Sequence, residues 1–236
     1  MLTGDGGDEI FGGYLWYKLF EKYERYGINS NILFKLFLSI NSLRKEGLTF
    51  KLMKRLQRFL LKDLQLYTKL MRGLIKEEKG HYRCMFEIPS DYDDYWHFRK
   101  YWKSEYPVRT RLQYLDLKTY LPDDILTKVD RVSMANSLEA RVPLLSKEIV
   151  EFVFTVPEEL RYHKNRLKGL LKYAYRERLP DAIINRGKKG FSIPLRYWGQ
   201  GFYDDRLMIQ EHLLATVFKS KVENKKKPFP ISLTIN

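Results

Sequence analysis

The chain has little cysteine, no long apolar run and fewer acidic than basic residues. Its one cysteine among 236 residues, Cys84, cannot form an internal disulfide or a zinc site made of paired cysteines. A single thiol is typical of a reducing compartment, so we expect a cytoplasmic protein. The sequence contains no run of about 18 apolar residues, so no membrane span is predicted. Its first residues do not resemble a signal peptide. The four histidines have no metal-ligand spacing.

Positive charge is concentrated in two segments. The chain has 43 Lys and Arg against 29 Asp and Glu, a net charge of +14. Residues 41–80 carry 11 basic and 4 acidic side chains, and residues 219–227 carry 5 and 1. Such segments can bind nucleic acid, anionic membranes or phosphate, but more often they are solvated helix faces or tails. Since no RNA-binding motif accompanies them, we expect solvated segments and rank nucleic acid low as a partner.

Apolar residues at helical spacing predict a mainly α-helical chain. One helix is expected to begin at Pro122 and to end before Pro143, with an apolar stripe of Ile125, Val129, Val132 and Ala135. Residues 87–107 are expected to be irregular or briefly helical, and residues 31–80 to hold two or three helices. Further helices are predicted at residues 14–26, 111–121, 147–154 and 166–178.

Residues 3–9, Thr-Gly-Asp-Gly-Gly-Asp-Glu, are the most unusual segment. The glycines allow a tight turn that presents backbone N–H groups to an anion. Three carboxylates beside such a turn would repel phosphate unless Mg²⁺ bridged them, since Mg²⁺ is commonly held by one or two carboxylates and substrate phosphates. The sequence leaves two alternatives open: a metal–nucleotide site, or an acid-rich turn without a ligand.

Two further groups could carry chemistry. Arg186, Lys188 and Lys189 lie in a glycine-flanked loop, where a lysine could neutralise charge on a transferring phosphoryl or nucleotidyl group. The alternative is an exposed basic loop. Asp130 lies within the helix that follows Pro122, where it is either an inward acid that orients a reactant or part of a surface ion pair.

Three motifs together resemble one enzyme family. Residues 3–14 resemble the second nucleotide motif of the glutamine-hydrolysing asparagine synthetases. Residues 120–143, from Tyr-Leu-Pro-Asp-Asp to Glu-Ala-Arg-Val-Pro, are similar to that family's central helix. Residues 186–194, Arg-Gly-Lys-Lys-Gly-Phe-Ser-Ile-Pro, are similar to its late lysine loop. The resemblance extends from about residue 1 to residue 215.

The resemblance implies a fold and a reaction. The fold would be mainly α with few short strands, as the C-terminal portion of an α/β adenine-nucleotide-binding synthetase domain of the PP-loop type. Family members activate aspartate with ATP as β-aspartyl-AMP. Ammonia from a glutaminase domain, which this chain does not contain, then displaces AMP. The implied partners are ATP, aspartate and ammonia, and a homodimer is possible.

The resemblance also assigns site residues. Asp8 would hold Mg²⁺ on the pyrophosphate, and Asp5 would lie beside the acyl-adenylate. Lys188 would stabilise charge during adenylation, and Asp130 would lie in the pocket. The residues implied to bind ATP are Thr3, Gly4, Gly6 and Gly7.

The sequence also departs from the family pattern. The family's first nucleotide loop, S-G-G-x-D-S, is not found, and Leu2 stands where the glutaminase nucleophile would be a cysteine. We therefore expect residues 1–218 to form a partial synthetase domain that is inactive alone, and residues 219–236 to be a disordered or frameshifted tail. Asp5 replaces a frequent glutamate, which leaves open a paralogue of surface-polysaccharide biosynthesis with another acceptor. A non-catalytic split partner or remnant is a third possibility.

Overall fold

The structure is a computed structural model that describes residues 1–27, 56–71, 73, 75 and 88–187. The chain divides into two compact units: Met1–Glu78 with Asp93–Asn185, and Lys79–Tyr92 with Arg186–Asn236. Every helix given below belongs to the first unit. The segment 219–236 lies outside the described residues, so the expectation of a disordered tail stays a prediction.

The described part of the chain is helical. Its α-helices are α1 Gly7–Phe11, α2 Leu15–Arg25, α3 Asp63–Leu70, α4 Trp96–Arg99, α5 Val108–Lys118, α6 Thr127–Met134, α7 Lys147–Thr155, α8 Glu158–Arg161, α9 Gly169–Ala174 and α10 Asp181–Ile184. A π-helical segment, Leu121–Leu126, leads into α6. Short 3₁₀ turns are Arg58–Leu60, Pro143–Leu145 and His163–Asn165. The β-structure of these residues is one parallel bridge between Leu2 and Arg141.

The mainly helical fold expected from the sequence is confirmed for these residues, whereas the PP-loop α/β architecture stays a prediction. The predicted helices at residues 14–26, 111–121 and 147–154 correspond to α2, α5 and α7. The helix predicted at residues 166–178 is shorter, because Lys168 precedes α9 with a left-handed φ of 54°. A residue with a β-carbon rarely adopts that backbone conformation within a helix.

The apolar stripe predicted after Pro122 is partly wrong. Val132 is 62% exposed, whereas the buried residues of this stretch are Leu121 and Ser133. The π-helical segment contains Pro122, and its i→i+5 bonding shifts the angular position of each later side chain. A stripe drawn with a constant helical period therefore places Val132 on the wrong face.

Two apolar clusters organise the first unit. The larger cluster joins α2, α3 and α5; its buried members are Tyr14, Tyr17, Phe20, Tyr23, Leu61, Leu64, Leu66, Tyr67, Ile75, Tyr95, Leu112 and Leu115. The smaller cluster contains Ile10 and Phe11 of α1 with Val153 of α7, and Leu144 and Leu145 pack against it. Because α1 anchors the smaller cluster, the residues just before α1 are fixed by the core.

Candidate functional site

The glycine loop, residues 3–8, is held at its start by backbone hydrogen bonds to a distant segment. The N–H of Thr3 donates to the carbonyl oxygen of Arg141 at 2.9 Å, and the N–H of Arg141 donates to the carbonyl oxygen of Met1 at 2.8 Å. These bonds form the parallel bridge of Leu2 with Arg141. The first and second sequence motifs are therefore neighbours in the fold.

The middle of the glycine loop packs closely on the turn Pro143–Leu145. Gly6 has a φ of +75°, and a β-carbon on it would lie 2.6 Å from Cγ of Leu145. A β-carbon on Gly7 would lie 2.9 Å from Cδ1 of Leu144. In contrast, nothing lies within 4 Å of the corresponding position on Gly4. The loop is thus packed on one side and open at Gly4, where a ligand could approach the backbone.

Asp8 of the glycine loop is paired with a lysine that the sequence analysis did not select. Nζ of Lys168 lies 3.1 Å from Oδ1 of Asp8, and the two side chains are 30% and 26% exposed. The backbone N–H of Lys168 donates to the carbonyl oxygen of Gly12 at 3.3 Å. The signal that could have identified Lys168 is weak, because a lysine at a predicted helix start is usually solvated.

Glu9 has a structural role. It is 1% exposed and accepts a hydrogen bond of 2.5 Å from the hydroxyl of Tyr14. Burial and the neighbouring Glu9 both raise the pKa of Tyr14, so this phenol stays protonated. The three carboxylates expected beside the glycines are therefore reduced to Asp5 and Asp8.

A buried polar chain fixes α1 to α5 and α8. The side-chain amide of Gln113 donates to the carbonyl oxygens of Glu9 and Ile10 at 2.8 and 2.6 Å. Arg161 donates to Oε1 of Gln113 at 2.9 Å and also to the hydroxyl of Thr110. Because α1 has only five residues, these bonds satisfy carbonyl groups that so short a helix cannot pair internally.

Asp116 of α5 is fully buried. Its carboxylate accepts hydrogen bonds from Trp16 at 3.1 Å, Tyr17 at 2.7 Å and Tyr67 at 2.5 Å. Burial raises the pKa of Asp116 to about 7, although the three hydrogen bonds oppose the shift. Burial also raises the pKa of Tyr17 and Tyr67. This carboxylate joins α2, α3 and α5 around one buried group.

Asp130 borders an open cleft next to the start of the glycine loop. The cleft has a volume of about 640 Å³ and is lined by Asp130, Met134, Ser137, Glu139, Ala140 and Arg141. Asp130 is exposed, so it is not the inward acid of the first alternative, and among the described residues no ion pair involves it. Its role in orienting a reactant stays a prediction. Arg141 lines this cleft and also binds the backbone of Thr3, so Asp130 and the glycine loop share a neighbour.

The donor set suits a metal that arrives with its substrate. Within residues 1–27 and the other described segments, no group of three or more His, Cys, Asp or Glu side chains could form a complete metal cage. Mg²⁺ does not require one, since a single carboxylate and substrate phosphates can hold it. The partly exposed carboxylate of Asp8 fits that role. Lys188 and Lys189 lie outside the described residues, and their roles stay predictions.

Comparison with known proteins places these features in a family. The asparagine synthase family model matches residues 1–219. The chain belongs to the asparagine synthase family. No solved structure matches it significantly. Within the described residues, no helix is long and apolar enough to cross a membrane.

Relatives cover most of this chain with only part of their own length. The chain is 32% identical over 202 residues to asparagine synthetase [glutamine-hydrolyzing] 1 of Bacillus subtilis, an alignment of 84% of this chain and 31% of the relative. It is 39% identical over 84 residues to asparagine synthetase 3 of the same organism, covering 36% and 14%. Amidase chry2 of Gibberella zeae is 30% identical over 129 residues, covering 52% and 18%. The chain thus spans about a third of the first relative's length.

Proposed function

We propose that this chain supplies part of the nucleotide and acceptor site of an ATP-dependent synthetase that converts a carboxylate to an amide. The carboxylate would be that of aspartate, activated as β-aspartyl-AMP and then attacked by ammonia released from glutamine. The observation that carries the proposal is the pairing of Thr3 with Arg141, which joins the glycine loop to the cleft of Asp130 in a chain of this family.

The proposed roles follow the family resemblance. The open backbone at Gly4 would contact ATP together with Thr3, Gly6 and Gly7. Asp8 would hold Mg²⁺, which neutralises phosphate charge when it is bound. Asp5 and Asp130 would contact the activated acceptor from the loop and the cleft, and Lys188 would stabilise the developing negative charge.

Completion of the site would need the first nucleotide loop of the family, which is not found in the 236 residues. We therefore propose that this chain alone does not catalyse the reaction. A cytoplasmic location and a homodimer stay predictions.

A chimera tests the proposed function directly. Residues 1–219 of this chain replace the matching segment of the Bacillus subtilis relative, and aspartate-dependent exchange of pyrophosphate into ATP is measured. We expect exchange in the chimera and none with the isolated chain. We also expect a loss of about 100-fold or more in Asp5→Asn and Asp130→Asn variants, because these carboxylates would contact the reacting groups. The control is Glu151→Gln on the exposed side of α7.

The acceptor is tested in the same assay with sugar and peptide carboxylates in place of aspartate. Exchange that depends on one of these and not on aspartate would favour the paralogue with another acceptor. A folded chimera that gives no exchange with any acceptor would overturn the proposed function. Exchange by the isolated chain would show that its site is complete.

A further inference from the structure

The Asp8–Lys168 ion pair involves the carboxylate to which the proposed function assigns Mg²⁺. The ammonium of Lys168 is 3.1 Å from Oδ1 of Asp8, and both side chains are partly exposed. A divalent cation on Asp8 and the ammonium of Lys168 would both carry positive charge beside the same carboxylate. Since like charges at such a distance repel, the two cations compete for Asp8.

The backbone holds Lys168 at this place. Its N–H donates to the carbonyl oxygen of Gly12, at the turn that ends α1. A β-carbon on Gly13 would stand within contact distance of the Lys168 side chain and 2.8 Å from Cγ of Asp8. The bare backbone of Gly13 therefore leaves the space through which the lysine reaches the carboxylate.

The stem of Lys168 allows movement once Asp8 is occupied. Its ammonium lies 3.8 Å from the position of a β-carbon on Gly7, so it borders the glycine loop as well as Asp8. A lysine has a flexible four-carbon stem and a compact charge, which suits a group that changes partners. A phosphate brought in with a metal ion would offer that ammonium a new anionic partner.

We propose that Lys168 neutralises Asp8 when no metal is bound, and that it leaves Asp8 for the incoming phosphate when a divalent cation binds there. This inference rests on the proposed function for the role of Asp8. Lys168 would thus have opposite effects on two ligands. Its ammonium would weaken the binding of the metal alone and strengthen the binding of phosphate. A residue that only stabilised the fold would not have opposite effects on the two ligands.

The test measures binding to the full 236-residue chain and needs no turnover. Affinity for Mn²⁺ alone is measured by electron paramagnetic resonance, and affinity for inorganic pyrophosphate at saturating Mn²⁺ by calorimetry. In Lys168→Met we expect Mn²⁺ to bind about two- to fivefold more tightly, because a partly exposed ion pair has been removed. We expect pyrophosphate to bind about tenfold more weakly, because a charged hydrogen bond is lost.

Two variants separate this role from folding. Lys172→Met removes a lysine one turn further along α9 and should leave both affinities unchanged. Lys168→Arg keeps the charge and should keep Mn²⁺ binding near that of the unsubstituted chain. Equal Mn²⁺ affinity in Lys168→Met and the unsubstituted chain, including no binding in either, would overturn the proposal. Changes of both affinities in the same direction would also overturn it. Neither result depends on the exchange assay, so failure of the proposed function remains distinguishable.

Discussion

The hydroxyl of Tyr17 donates a hydrogen bond of 2.7 Å to Oδ2 of Asp116, and so α2 is tied to α5 through a carboxylate withdrawn from water. Trp16 donates to the same oxygen and Tyr67 to the other. All three donors come from outside α5. The acid is consequently a common anchor for three segments of the chain, and its protonation state affects all of them.

Stability should fall as pH rises through the titration of Asp116. Its pKa is about 7 in the folded chain against an ordinary value of 3.8, so the folded state holds the proton more tightly. The free energy of unfolding therefore decreases between about pH 4 and pH 7, with a slope of at most about 1.4 kcal/mol per pH unit. Urea unfolding at a series of pH values measures this slope.

Asp116→Asn is the matched control for that slope, because the carboxamide has a similar shape and does not titrate. As pH rises, the unfolding free energy of the unsubstituted chain should fall relative to that of Asp116→Asn. A difference that stays constant from pH 4.5 to pH 7.5 would contradict the raised pKa.

Gly12→Ala should destabilise the fold strongly. Gly12 has a φ of +66°, and a β-carbon there would lie 2.6 Å from Cε1 of Tyr162. We expect a loss of about 2 kcal/mol or more from backbone strain and overpacking together. Gly4→Ala is the control, because the position beside Gly4 is open. Denaturant midpoints compare the two variants, and equal midpoints would show that the Tyr162 contact is not tight.

Gln113→Leu should loosen α1. The substitution leaves the carbonyl oxygens of Glu9 and Ile10 without the Gln113 amide, and removes an acceptor from Arg161. We expect about 2–4 kcal/mol of destabilisation, since each buried polar group left unpaired costs about 1–3 kcal/mol. Hydrogen exchange of the amides in α1 should rise more than exchange in α7. Tyr114→Phe, one residue further along α5, is the control, and an equal effect there would argue against a specific role of the amide.

The sequence was informative wherever one element could be recognised by itself. The helix predicted at residues 14–26 is found as α2, whose buried residues are Tyr17, Phe20 and Tyr23. The glycine loop and residues 120–143 were each matched to a motif of one family, and the match to the asparagine synthase family confirms that resemblance. These signals are local, because they depend on residue type and spacing within one segment.

Interactions between distant segments were not predictable from the same signals. Gln113 and Asp116 are polar, so periodicity alone assigns them to a solvated face, yet both are fully buried. Their burial depends on donors and acceptors about 50 to 100 positions away, which spacing within α5 cannot reveal. Lys168 was not predicted for the same reason, since its partner Asp8 is far from it in the sequence.

The long separation between the glycine loop and its supports has a consequence for biosynthesis. Residues 3–8 leave the ribosome long before Arg141, Leu145 and Lys168 exist. Until those residues are made, the loop lacks its backbone partner, its packing surface and its counter-charge. The segment that would meet ATP is thus synthesised before its supports and can reach its final shape only after they are made.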